Sequence, residues 1–96
     1  MEKETLDKTE TEIIMLDERL IAITKELEDI ESILADLEAL FSKLQKSSLY
    51  NIFYQDFLAI MDLYYRERDK LAKEKERVIK KTGRLSVKKG KFLNHL

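Results

Sequence analysis

The fold is decided by residues 6–44, which read LDKTETEIIMLDERLIAITKELEDIESILADLEALFSKL. Apolar side chains recur in this stretch at alternating spacings of three and four residues for more than five heptads. A period of 3.5 residues keeps a narrow apolar seam on one side of a helix, and such a seam requires a facing helix. Thr9 is its only polar member. The seam positions are Leu6, Thr9, Ile13, Leu16, Leu20, Ile23, Leu27, Ile30, Leu34, Leu37, Phe41 and Leu44.

The charges beside this seam indicate which helix faces it. In a parallel homodimer Glu12 would meet Asp17, and Glu26 would meet Glu31, so the flanking pairs include like charges and none attracts. The net charge of −1 also hides a split, because residues 1–46 carry a net −7 and residues 47–96 a net +6. A basic helix later in the same chain is therefore the better partner, with Asp29 near Arg66 and Glu12 within reach of Lys81.

A turn at about 45–48 would bring that helix back. The seam fails there, and Ser47 and Ser48 are good N-cap residues before the next apolar run. The alternative is one bent helix of about 75 residues, because no glycine or proline enforces the turn. The sequence predicts an all-α, antiparallel helical hairpin in residues 1–83, with helices at about 5–45 and 49–81. Gly83 would end the second helix as a C′ residue, and 84–96 would be a basic C-terminal tail.

Residues 33–65 carry more apolar surface than one antiparallel helix can cover. Thirteen of the seventeen residues at 49–65 are apolar or aromatic. We therefore predict a protein interface around the turn, with three competing uses: the core of a homo-oligomer, a dimer first of all; a groove or ridge for another protein; and a third packed segment. The predicted interface residues are Ile33, Leu40, Leu49, Ile52, Phe53, Phe57, Ile60, Met61 and Tyr64.

The basic end of the chain admits three interpretations. The first is a solvated terminus, and the second is a contact for nucleic acid or another polyanion. The third is a segment that docks onto a partner or onto the bundle through Phe92, Leu93 and Leu96. No acidic residue follows Glu76. The candidate nucleic-acid-binding residues are Arg77, Lys80, Lys81, Arg84, Lys88, Lys89 and Lys91.

Motifs for catalysis are lacking. The chain has no cysteine, and its single histidine, His95, has neither a triad nor a metal-ligand context. We expect no enzyme activity, no cofactor and no metal. The charged N-terminus has no apolar signal-peptide core, and the longest apolar run is too short and too polar for a membrane span. These features predict a soluble cytoplasmic protein.

Two functions remain open on the sequence. The first is a non-enzymatic helical protein–protein interaction module, an assembly, adaptor or chaperone-like subunit, that acts through an apolar head at residues 33–65. The second is a small, non-specific nucleic-acid-binding protein that oligomerises through the head and uses its basic C-terminal residues.

Overall fold

A computed structural model describes residues 2–94 as two α-helices, α1 at Glu2–Gln45 and α2 at Tyr50–Asn94, with no strand in that range. The helices run antiparallel in each of the two compact units into which the chain divides. We call residues 25–72 the turn unit and the remaining parts of both helices the terminal unit. Glu38 contacts Tyr65 and Phe41 contacts Phe57 in the turn unit, so partner numbers fall along α2 as they rise along α1. The predicted all-α, antiparallel helical hairpin is confirmed.

The turn lies at residues 46–49, within one residue of its predicted position. The last turn of α1 closes with a hydrogen bond of 2.9 Å from the Ser47 N–H to the Leu44 carbonyl. Ser47 orders the turn itself, because its Oγ accepts a hydrogen bond of 3.0 Å from the Leu49 N–H, just before α2 begins. A serine hydroxyl that bonds the backbone two residues on stabilises a turn in this way. The chain therefore reverses without glycine or proline.

The predicted end of the second helix is wrong. α2 does not stop at residue 81 but continues through Gly83 and Gly90 to Asn94, and neither glycine has a positive φ. Gly83 is therefore not a C′ residue, and the described part of 84–96 is helix rather than a tail. A glycine inside a helix costs about 1 kcal/mol relative to alanine. The seam against α1 continues past Gly83, with Val78 buried and Leu85 half-buried, and this packing outweighs that cost.

Each predicted seam position of α1 is buried or half-buried. Ile23 and Leu34 are the most completely covered of these side chains. Thr9, the polar member, is also buried, and its Oγ1 donates a hydrogen bond of 2.8 Å to the Thr5 carbonyl. A threonine that bonds back to its own helix in this way leaves no buried hydroxyl without a partner.

α2 carries a matching seam that the sequence did not reveal. Its inward positions follow the same alternation of three and four residues, but every second one is polar from residue 68 onward. Long side chains can cover a seam with their methylene groups while the charge reaches water. The inward positions of α2 are Tyr50, Tyr54, Phe57, Met61, Tyr64, Arg68, Leu71, Lys75, Val78, Thr82, Leu85 and Lys89.

Candidate functional site

The core of the turn unit is aromatic. The ring centroid of Phe41 lies 6.0 Å from that of Tyr50 and 5.8 Å from that of Phe57, and Tyr50 in turn lies 5.2 Å from Tyr54. Edge-to-face and tilted ring pairs at these distances add to the stabilisation that burial provides. The cluster fixes the register, because Phe41 occupies an a position of α1 and Phe57 a d position of α2.

One edge of the turn unit is polar. Tyr65 donates its phenolic O–H to the carboxylate of Glu38, and the guanidinium of Arg68 lies 4.9 Å from the centre of the Tyr65 ring. The hydrogen bond to Glu38 raises the pKa of the Tyr65 phenol above its ordinary value of 10.0, with a further rise from burial and a smaller opposing effect of Arg68. Tyr65 and Glu38 both occupy e positions of their heptads. Their contact therefore marks the e edge of the hairpin.

The opposite edge of the turn unit, formed by g positions, is apolar. In an antiparallel pair the g positions of one helix lie beside those of the other, because the a and d residues of both helices fill the seam between them. The g positions nearest the turn are Ile33 and Leu40 on α1 and Phe53 and Ile60 on α2, and all four side chains are exposed. Farther from the turn the g edge continues with the exposed acids Glu26 and Glu67. Leu49 and Leu63 extend the surface from the adjacent c positions of α2 and are exposed as well. We call these six residues the apolar edge.

Charged residues of both signs border the apolar edge. Asp36 lies between Ile33 and Leu40 in the α1 sequence, three residues from one and four from the other, and Asp56 holds the same place between Phe53 and Ile60. Lys43 and Lys70 occupy further c positions, and all four charged residues are exposed. A border with both signs suits contact with a surface that also carries both signs.

The nine predicted interface residues divide into an outward and an inward set. Five of them belong to the apolar edge, and Ile52 is exposed on the outer face of α2. The other three are seam residues: Met61 is buried, and Phe57 and Tyr64 are half-buried. The prediction missed Leu63 and, on the e edge, Leu58, both exposed. The α2 heptad would have placed them, but its polar seam positions concealed that pattern.

The basic residues of the terminal unit share one side of α2. Arg77, Arg84 and Lys91 occupy successive c positions, and Lys81 and Lys88 occupy g positions beside them. Arg77, Lys80, Lys81, Arg84 and Leu85 together line a surface pocket. We call Arg77, Lys81, Arg84, Lys88 and Lys91 the basic stripe. Lys89 is not part of it, because it is half-buried at the seam with its Nζ 3.3 Å from Glu10 Oε1.

The ion pairs between α1 acids and α2 bases differ from those that the sequence predicted. Arg66 contacts Asp62 of its own helix at 2.9 Å instead of Asp29. Lys80 contacts Glu76, also on α2, at 3.2 Å. The clearest cross-helix pair has the opposite polarity, with Arg19 of α1 at 2.7 Å from Glu74 of α2. Glu12 and Lys81 do line one pocket, as the hairpin geometry led us to expect.

The terminal unit also exposes apolar side chains that the sequence did not lead us to expect. Ile14, Met15 and Ile21 on α1 are exposed, as are Ile79 and Val87 on α2. Ile14 and Ile21 occupy b positions and Ile79 an e position, so these three lie toward the e side, away from the basic stripe. The prediction did not include these exposed residues, because it followed only the apolar seam of α1.

No protein-family model, curated protein or solved structure matches the chain. Neither helix, across residues 2–94, has a stretch long and apolar enough to cross a membrane. Among the same residues no group of three carboxylate or histidine side chains is arranged to hold a metal ion. His95, the single histidine, and Leu96, a predicted docking residue, lie outside the described residues.

Proposed function

We propose that this chain is a non-enzymatic helical interaction module, an assembly, adaptor or chaperone-like subunit whose contact surface is the apolar edge. The observation that carries the proposal is the concentration of six exposed large apolar side chains on one edge of the turn unit, opposite a polar edge. Contiguous apolar surface of this kind marks a site of protein association, whereas scattered exposed residues do not. A cytoplasmic location is part of the proposal and rests on the sequence.

The first occupant that we propose for the apolar edge is a second copy of the chain. Two hairpins that met along this edge would form a four-helix bundle with an isologous interface, in which each residue set meets itself. The border can supply opposite charges to such a contact, because Lys43 and Lys70 lie beside the acids Glu26, Asp36, Asp56 and Glu67. A helix of another protein is the competing occupant, and it would use the same apolar side chains.

The proposal is tested by the molecular mass in solution of three chains. Light scattering after gel filtration should give the wild-type chain about twice the 11.4 kDa of one copy. The double variant Phe53→Gln/Ile60→Gln should be monomeric, because glutamine keeps the helix propensity and removes the apolar contact. The matched control is Ile52→Gln/Leu58→Gln, which removes two apolar side chains of similar exposure outside the apolar edge.

The control variant should keep the dimer mass. A monomeric wild-type chain would contradict self-association, and equal loss of mass in both double variants would show that the apolar edge is not the interface. A wild-type monomer that forms a stable complex with another helical protein, lost in Phe53→Gln/Ile60→Gln alone, would assign the same edge to a different partner.

A further inference from the structure

We propose that the basic stripe of α2 binds the phosphates of duplex nucleic acid, and that the pocket around Arg77, Lys81 and Arg84 is its centre. The sequence predicted a basic tail after Gly83, whereas the structure has a helix there. The residues beyond Gly83 belong to an unbroken helix through Asn94, so the backbone positions that carry their cations are fixed. Cations on an ordered helix lose less conformational freedom on binding than cations on a disordered tail, because the backbone is already ordered.

The stripe presents its charges in a regular array. From Arg77 to Lys91 the helix rises about 21 Å, at 1.5 Å per residue, and the five cations follow one side of it. Duplex DNA carries about one negative charge per 1.7 Å of its axis. A straight row of cations of this length can therefore follow a phosphate backbone over several nucleotides.

Four of the five cations have no ion-pair partner among the residues that the structure describes. Arg77, Lys81, Arg84 and Lys91 form no ion pair within 4.0 Å with the residues that the structure describes. The acids of α1 in the terminal unit occupy other heptad positions, except for Glu12, which shares a pocket with Lys81. No acidic side chain lines the pocket of Arg77, Lys80, Lys81 and Arg84.

The side chains of the stripe favour phosphate over other anionic partners. Two arginines, Arg77 and Arg84, lie two helical turns apart. One guanidinium group can donate hydrogen bonds to two oxygens of the same phosphate. A membrane surface is less suited, because the c and g positions from 77 to 91 hold no apolar side chain. Val78 is buried, and the exposed Ile79 and Val87 occupy e and f positions, outside the stripe. Single strands are less suited too, because residues 66–91 contain no aromatic side chain on which bases could stack.

Binding of this kind reads the backbone and not the base sequence. The contacts that we propose are all to phosphates, so the complex should be non-specific and weak at physiological salt, with a Kd on the order of 10⁻⁴ to 10⁻⁶ M. The affinity should fall steeply as salt rises. The proposal does not depend on self-association through the apolar edge.

The test measures fluorescence anisotropy of a labelled DNA duplex of about 20 base pairs with the full chain, at about 50 and 200 mM salt. The site variant is Arg77→Gln/Lys81→Gln/Arg84→Gln. The matched control is Lys25→Gln/Lys46→Gln/Arg66→Gln, which removes the same charge from exposed positions of the turn unit, outside both the basic stripe and the border of the apolar edge. The site variant should lose at least about tenfold in affinity at the lower salt. Its slope of log affinity against log salt should shrink by about 2 to 3, close to 0.9 per lost phosphate contact.

The control variant should bind the duplex within about twofold of wild type, and circular dichroism should show equal helix content in all three chains. Absence of wild-type binding at the lower salt would overturn the proposal, as would an equal loss in the control. Tighter binding to a single strand of the same length would overturn the assignment to duplexes. Binding to vesicles that contain phosphatidylserine, without duplex binding, would assign the stripe to a membrane surface instead.

Discussion

At the scale of single residues, two isoleucines of α1 show the difference between a seam position and a surface position. Ile23 is 0% exposed, whereas Ile21, two positions earlier in the same helix, is 71% exposed. We predict that Ile23→Ala lowers the free energy of unfolding by about 2–4 kcal/mol, because it removes buried methyl groups and leaves a cavity. Ile21→Ala should change it by less than about 0.5 kcal/mol. Urea denaturation at one protein concentration measures both, and equal effects would mean that the seam is misassigned.

The side chain of Lys75 covers Ile23, although this part of the chain is rich in charged residues. Arg19 and Glu74 pair across the terminal unit at g positions, and this register places Lys75 at the seam position that faces Ile23. Lys75 is half-buried. Its methylene groups can exclude water from the seam while its ammonium group stays solvated. A lysine at a seam position also helps to fix register, at some loss of stability.

At the scale of the helix, Gly83 tests whether α2 continues. A Cβ added to Gly83 meets nothing within 4 Å, and its φ is negative. Gly83→Ala should therefore raise the free energy of unfolding by about 0.5–1 kcal/mol, because alanine is the better helix former. A C′ glycine with positive φ would give the opposite sign. Thermal unfolding followed by circular dichroism measures the change, and Gly90→Ala, also with open space around it, should shift in the same direction.

The two helices show how far sequence periodicity carries a prediction. α1 was predicted nearly to its ends, because its seam is apolar at eleven of twelve positions. α2 was predicted too short, because Arg68, Lys75, Thr82 and Lys89 interrupt its seam and Gly83 resembles a stop signal. From residue 68 onward four of the seven seam positions of α2 are lysine, arginine or threonine, and a pattern of apolar residues cannot reveal such a seam. The apolar residues that face these positions belong to α1, so the missing information lies in the other helix.

At the scale of the whole molecule, self-association should couple stability to concentration. Unfolding of a dimer releases two chains, so each tenfold rise in protein concentration stabilises the dimer by about 1.4 kcal/mol. We predict that the unfolding temperature of the wild-type chain rises with concentration between about 5 and 100 µM. The unfolding temperature of Phe53→Gln/Ile60→Gln should not change with concentration. Differential scanning calorimetry measures both, and a wild-type temperature that is independent of concentration would argue against a dimer.

The charge split of the chain was predictable, but its spatial consequence was not. The sequence suggested that the acids of the first half would neutralise the bases of the second. Heptad position decides instead which charges meet: Glu10 reaches Lys89, while the c positions of Arg77 and Arg84 point away from the acids of α1. The apolar head was likewise foreseen by composition alone, and only the contact between Tyr65 and Glu38 shows which edge of the hairpin is polar and which is left apolar.

The Ser47 turn bears on the order in which the chain acquires its structure. Phe41 meets Tyr50 across only nine residues of chain, whereas Glu10 and Lys89 are 79 residues apart. Loop closure costs more entropy for distant partners, so pairing starts beside the turn and spreads toward the two ends. The short-range contacts lie in the turn unit, so we expect its apolar edge to form first. It could then meet another copy before the two ends of the helices have paired.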